Sequence, residues 1–251
     1  MANIQHLEII AQGSSSWNTW RAGFPHVIPD LSGANLVDLH LPGSNLIKVD
    51  LTGADLSGAN LADAKLTGAT LRHANLTGAV LARANLTEAD LSEGLLEGAD
   101  LSEAIIREAN LERTNLSRAD LAHANLSAAI LFGANLTDAN LERATLVGAS
   151  FERANLERTK LIGVNLAEAD LSETNLIRAD LTGGNLDRAV LAGSVLEAAK
   201  LSRAVLTQAN LIMADLTEAD LTGANFAGAV LYKANIAAAI YDEGAFKDDT
   251  P

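Results

Sequence analysis

Five histidines and a dense set of carboxylates are the residues on which this chain could base chemistry. Imidazoles at metal-ligand spacing would hold a divalent cation, and two carboxylates facing across a cleft would serve as general acid and base. His6, His26, His40, His73 and His123 show no such spacing. Glu88, Asp90 and Glu93 lie close together in the chain, but a carboxylate catalyses proton transfer only where a cleft perturbs its pKa. There is no cysteine, which excludes thiol nucleophiles, thiolate metal sites and disulfides. Neither a glycine-rich phosphate loop with its lysine nor a Gly-x-Ser-x-Gly elbow occurs. The residue types argue against an enzyme, and no cofactor or metal is expected.

The elements that would have to position such residues are dominated by one pattern. Every fifth residue from Leu31 to Tyr241 is a large apolar one, and only Ile106, Phe151, Phe226, Ile236 and Tyr241 are not leucine. Around it runs the phrase A-[N/D]-L-x-x, as in Ala54-Asp55-Leu56-Ser57-Gly58 and Ala224-Asn225-Phe226-Ala227-Gly228. On an α-helix five residues advance about 500°, so these leucines would form no stripe. On an unbroken strand an odd period throws successive leucines to opposite faces. The chain must therefore turn once per repeat. An extended segment points the Ala and the Leu inward and the intervening Asn or Asp outward, and the next two residues carry the corner. Such a chain winds into a coil whose turns pair backbone to backbone at about 4.8 Å.

Forty-three consecutive repeats in one register resemble the pentapeptide-repeat family over roughly residues 30–246. The resemblance implies an all-β solenoid, a right-handed quadrilateral parallel β-helix with four repeats per coil. Carried over to residues 30–250, it implies about 11 coils and a tower about 50 Å long. Ala fills 32 of the 43 sites two before the central residue, where a methyl lets the wall approach the stacked leucines. Leu39, Val49 and Val164 depart from that rule and should bulge or repack the interior. Asn or Asp fills 27 of the 43 sites one before it, a composition suited to corners because both types bond nearby backbone groups.

Residues 1–29 stand outside the repeat. Ile4, Leu7, Ile10 and Ala11 follow helical spacing, Gly13 ends that helix, and Ser14 to Ser16 offer N-caps for a second one. Pro25 and Pro29 enforce extended backbone into the first coil. An open solenoid end exposes leucines and unpaired edges, so Ile4, Leu7, Trp17 and Trp20 read as a short α-helical N-terminal cap. Ile236, Tyr241 and Phe246 keep the register at the other end, with no long amphipathic helix after them. Another chain is expected to cover that end.

A formal net charge of −14 disfavours nucleic acid and anionic lipid as direct partners. No signal segment or membrane-length apolar run is evident, which points to a cytoplasmic protein. With four repeats per coil, the face through Leu46, Leu66 and Leu86 is balanced in charge, and the other three are each net acidic. Acidity matters because some pentapeptide-repeat proteins imitate duplex DNA and bind type II topoisomerases such as DNA gyrase, giving quinolone resistance. Duplex DNA carries roughly 30 charges over about 50 Å, about twice the net charge of this chain. The family's topoisomerase binders are typically dimers joined at their C-terminal ends, some with wall loops that this chain lacks. Outward apolar residues collect near this chain's C-terminal end: Val190, then Ile212 and Met213, then Val230 and Tyr232, on one face of three consecutive coils. The expectation is a non-catalytic protein-binding scaffold that forms a homodimer through its C-terminal coils, with gyrase-directed DNA mimicry as the alternative.

Overall fold

Ala34 donates its N–H to the Leu31 carbonyl (3.0 Å), closing a turn over Ser32 and Gly33. That closure recurs along the chain, as in Ala59 to Leu56 and Ala219 to Leu216. The third residue of each turn has positive φ, as a type II turn requires. Glycine suits it, as at Gly33 (φ 65°), yet most of these corners hold a residue with a Cβ, such as Arg83 (φ 58°), Glu103 (φ 58°) or Ala128 (φ 57°). An L-residue there costs about 1–2 kcal/mol, so the surrounding lattice must hold it in place.

The lattice is the ladder between coils. A computed structural model, which describes residues 2–245, pairs Asp30 with Asp50 and continues unbroken to Asp220 with Ile240, always parallel and always twenty residues on. Four five-residue repeats therefore make one coil. Each repeat bonds to both neighbouring coils: Leu51 N–H donates to Thr70 O (2.7 Å), Gly53 N–H to Arg72 O (2.8 Å), and Asp50 N–H reaches back to Pro29 O (2.9 Å). The strands are single bridges, because a turn follows after three residues.

Inside, the central residues form four stacked columns. All of them from Leu31 to Leu231 are buried, with Phe151 fully so. Ile236 is half-buried and Tyr241 is 44 % exposed, since no further described coil lies over them. Each buried leucine contributes about 1.5–3 kcal/mol. The expected bulges at Leu39, Val49 and Val164 are absent: the ladder passes through all three, and only their turn bonds lengthen to 3.2 Å. Val164 repacks instead. It faces Gly184 one coil on, where an added Cβ would sit 3.3 Å from Val164 Cγ1. Thr114, Thr159 and Thr174 replace the usual alanine and stay satisfied by donating to Leu91 O, Leu136 O and Phe151 O in the preceding coil.

The leader forms α1 (Ile4–Ile10) and α2 (Ser14–Gly23). Asn3 caps α1 by accepting from Gln5 and His6 N–H. Ser14 is already helical, so the N-cap position of α2 falls to Gly13 (φ 91°), with no side-chain cap. The sharp backbone reversal, which glycine tolerates, outweighs the hydroxyls' capping preference. Between Pro25 and Pro29 the chain is not wholly extended either, since Val27 N–H turns back to Phe24 O (3.2 Å).

Two substitutions in one repeat separate burial from corner strain. Leu126→Ala should cost about 2–5 kcal/mol through the cavity it leaves. Ala128→Gly should stabilise by up to about 1 kcal/mol, because relief of positive-φ strain exceeds the added unfolded-state freedom. Chemical denaturation of both variants checks the pair, and a destabilised Ala128→Gly protein would show the corners to be unstrained.

Candidate functional site

The walls are built to be satisfied by themselves. Asp and Asn before each central residue accept from the N–H two residues on, as Asp55 Oδ1 does from Ser57 (3.0 Å) and Asn75 Oδ1 from Thr77 (3.1 Å). A Ser or Thr hydroxyl at that next position often donates to the same oxygen, at 2.7 Å for Ser57 and Thr77. Amides also bond up the column, Asn75 Nδ2 to Asp55 Oδ1 and Asn175 Nδ2 to Asn155 Oδ1, each at 3.0 Å. This is the corner role expected of these residues.

Charged corner residues pair between adjacent coils. Arg83 grips Asp63 with both Nε (2.9 Å) and Nη2 (2.8 Å), and Arg158 grips Asp138 likewise. The guanidinium bonds hold both carboxyls below the usual carboxylate range. All four side chains are about half exposed, so each pair adds little to stability. They do remove bare carboxylates from the surface. Among the described residues, no group of three or more His, Asp or Glu is placed to hold a metal ion, and no helix is long and apolar enough to cross a membrane.

The N-terminal end closes with more polarity than expected. The first coil has no coil beneath it, so its inner-edge donors and acceptors need outside partners. Asn3 N–H donates to Asp30 O (3.0 Å), and His6 Nδ1 accepts from Asp30 N–H (3.1 Å). Trp17 is fully buried and donates Nε1–H to Asn45 O (2.8 Å). Asn18 supplies both halves of a bridge, donating to Gly43 O (3.0 Å) and accepting from Asn45 N–H (2.7 Å). Arg21 donates to Val27 O (2.7 Å) and Ile47 O (3.0 Å). Trp20 is half-buried and stacks against His6, Trp17 and Phe24, with ring centroids 5.0–5.8 Å apart. Leu7 is half-buried against the core and Ile10 fully buried. Ile4 is not part of the cap. It is 74 % exposed, because helical spacing puts Ile10 and not Ile4 against the coil. His6, Asn18 and Arg21 were missed because apolar periodicity does not mark them. Their signal was the orphaned edge itself, which demands polar partners.

Among the described residues, the C-terminal end has no set of side chains fitted to it as the N-terminal end has. Met213, Val230 and Tyr232 are 64 %, 45 % and 62 % exposed, whereas Val190 and Ile212 are half-buried. The band is interrupted: Asn210 bridges Val190 on one side and Val230 on the other. Lys233 Nζ lies 5.1 Å from the centre of the Tyr232 ring. Ile240, 62 % exposed, lies two repeats beyond Val230 and so on the opposite wall, in the column of Asp220; the sequence marks it only as an isoleucine where Asn or Asp is usual. Phe246 lies outside the described residues. Gly223 N–H finds Asp242 Oδ2 (2.7 Å), but among the described residues the N–H groups of Leu231, Lys233, Ile236 and Ala238 have no partner.

The model of the pentapeptide-repeat family matches in successive segments that together run from residue 30 to residue 236. The chain belongs to the pentapeptide-repeat family. Solved members include HetL, a pentapeptide-repeat protein involved in heterocyst differentiation regulation in the cyanobacterium Nostoc sp. strain PCC 7120. It is 37 % identical over 84 % of this chain and 91 % of its own, with a TM-score of 0.77. A thylakoid-lumen member from Arabidopsis thaliana is 34 % identical over 45 % of this chain and 68 % of its own, with a TM-score of 0.23. QnrB1, a plasmid-mediated fluoroquinolone resistance protein, is 18 % identical over 70 % of this chain and 83 % of its own, with a TM-score of 0.40. No curated protein sequence matches the chain. The family's fold is a right-handed β-helix, here preceded by two short helices.

Two predictions follow from the cap and the corners. Asn18→Ala orphans Gly43 O and Asn45 N–H together; both are part-buried, so the loss should be toward the lower end of about 1–3 kcal/mol for each group left unpaired. Amide exchange should accelerate in the first coil while the coils beyond residue 100 keep their protection. At the corners, bonds from the Ser57 hydroxyl and then its N–H hold the Asp55 carboxyl below the usual carboxylate range. A depressed folded-state pKa contributes stability that is present above the unfolded value, near pH 4, and is lost as pH falls through the folded value. Asp55→Asn keeps the acceptor, so its Tm deficit at pH 7 should shrink on acidification below about pH 4. Thermal melts across pH check this, and a constant deficit would contradict it.

Proposed function

We propose that this protein is a non-catalytic scaffold that binds another protein in the cytoplasm, and that it works as a homodimer joined through its C-terminal coils. The observation that carries the reading is the contrast between the two ends. One is sealed by buried Trp17 and by side chains fitted to the edge donors and acceptors. The other presents Met213, Val230 and Tyr232 beside backbone N–H groups that have no partner among the described residues. Exposed apolar surface beside edge donors favours a chain-to-chain contact, and a two-fold arrangement buries both copies together. Division of labour follows the chain: residues 1–29 cap and residues 30–250 form the binding tower.

HetL's part in regulating differentiation is of the kind a binding protein performs without chemistry. That supports a regulatory scaffold and names no partner. Mimicry of DNA for gyrase has less support, since many acidic corners are already engaged by arginine, as at Asp63, Asp138 and Glu173. A surface offering itself in place of phosphates would keep its carboxylates bare.

Light scattering of the parent protein should give a dimer at micromolar concentration, and the Met213→Glu, Tyr232→Glu double variant a monomer with unchanged far-UV circular dichroism. A parent protein monomeric at high micromolar concentration would end the dimer proposal. A gyrase supercoiling assay separates the two binding readings: unaltered supercoiling favours the scaffold, and inhibition favours mimicry.

A further inference from the structure

Among the described residues, Arg21 is a buried cation without an anion. The residue is 6 % exposed, its two hydrogen bonds go to neutral carbonyls, and its Nε is buried with no acceptor among the described residues. A guanidinium has five donors and does not give up its charge in a protein. Burial disfavours that charge and pulls the Arg21 pKa below its usual value. An uncompensated buried charge is among the costlier things a fold can carry.

Arg21 lines a cleft of about 360 Å³ together with Pro25, His26, Val27, Ile28, Ile47 and Lys48. Three of these residues are basic and none is acidic, in a chain with 32 Asp and Glu against 18 Lys and Arg. Lys48 departs from the wall rule in the same direction. Where Arg83 and Arg158 meet aspartates one coil away, Lys48 meets Gly68, whose added Cβ would sit 3.6 Å from Lys48 Cγ. Neither His26 nor Lys48 pairs with a carboxylate among the described residues. Stapling the linker to the first coil explains two of Arg21's donors. It does not call for two further basic groups beside them.

We propose that this cleft binds a small organic anion, its carboxylate or phosphate group held by Arg21, His26 and Lys48 and its apolar body lying against Pro25, Val27, Ile28 and Ile47. The ligand supplies the missing counter-charge and bridges the 24–29 linker to the first coil, so its binding tightens the N-terminal cap. The site is independent of the C-terminal band and stands or falls apart from the dimer.

Calorimetric titration of the full chain with phenyl phosphate, and separately with inorganic phosphate, tests the assignment. Phenyl phosphate should bind once per chain, about tenfold more tightly than inorganic phosphate because only it fills the apolar wall. The Arg21 Hε–Nε resonance should shift during that titration, and the Tm should rise with ligand concentration. Lys48→Met and His26→Asn, both on exposed side chains, should each weaken phenyl phosphate about tenfold or more with Trp17 fluorescence unchanged. Equal affinity for the two probes would overturn the apolar half of the assignment. Absence of binding heat for both, or full affinity in Lys48→Met and His26→Asn, would overturn the site. Arg21→Met is uninformative if the cap loosens, so the surface variants decide the matter.

Discussion

A left-handed backbone at one residue in five is what lets an odd period fold. Without it, each leucine would face away from the last, and neither column nor ladder could form. The conformation opposes the chirality of the residues adopting it, since Arg, Glu, Asp and Ala hold many of these corners. It persists because it is over-determined. The turn bond closes beneath it, its own N–H is engaged by the next coil, and the Asn or Asp three residues earlier holds the residue between them. Strain spread so evenly is a property of the lattice and marks no site.

The regular part of the molecule was legible because it is written many times. A rule carried by 43 repeats survives any single exception, and the corner role of Asn and Asp followed from their chemistry. Exceptions were harder. Val164 looked like a defect until Gly184 was found across from it, a compensation twenty residues away that only the coil length reveals. That length was itself not in the period of five.

The two ends were less legible, for a related reason. An end is written once, and its residues answer to geometry rather than to their neighbours in sequence. Ile4 satisfied the helical pattern and still faces solvent, whereas Asn18, with no pattern to betray it, meets the first coil through both atoms of its amide. Ser14 to Ser16 lost the capping position to Gly13 because the chain needed a reversal there. Near the C-terminal end Met213, Val230 and Tyr232 are exposed, as outward positions of the repeat predict. Val190 and Ile212, which the sequence places in the same band, are mostly covered.

Because every coil contacts only the coils next to it, the tower behaves as a shaft with four settings. Removing twenty residues shortens it by one coil and leaves all faces aligned. Removing five keeps every leucine inside and every corner at a corner, but turns whatever follows by a quarter revolution relative to α1 and α2. The angle between the basic cleft at one end and the apolar band at the other is thus set by a whole number of pentapeptides. Two proteins of this build can share their core and differ only in the direction in which their ends face.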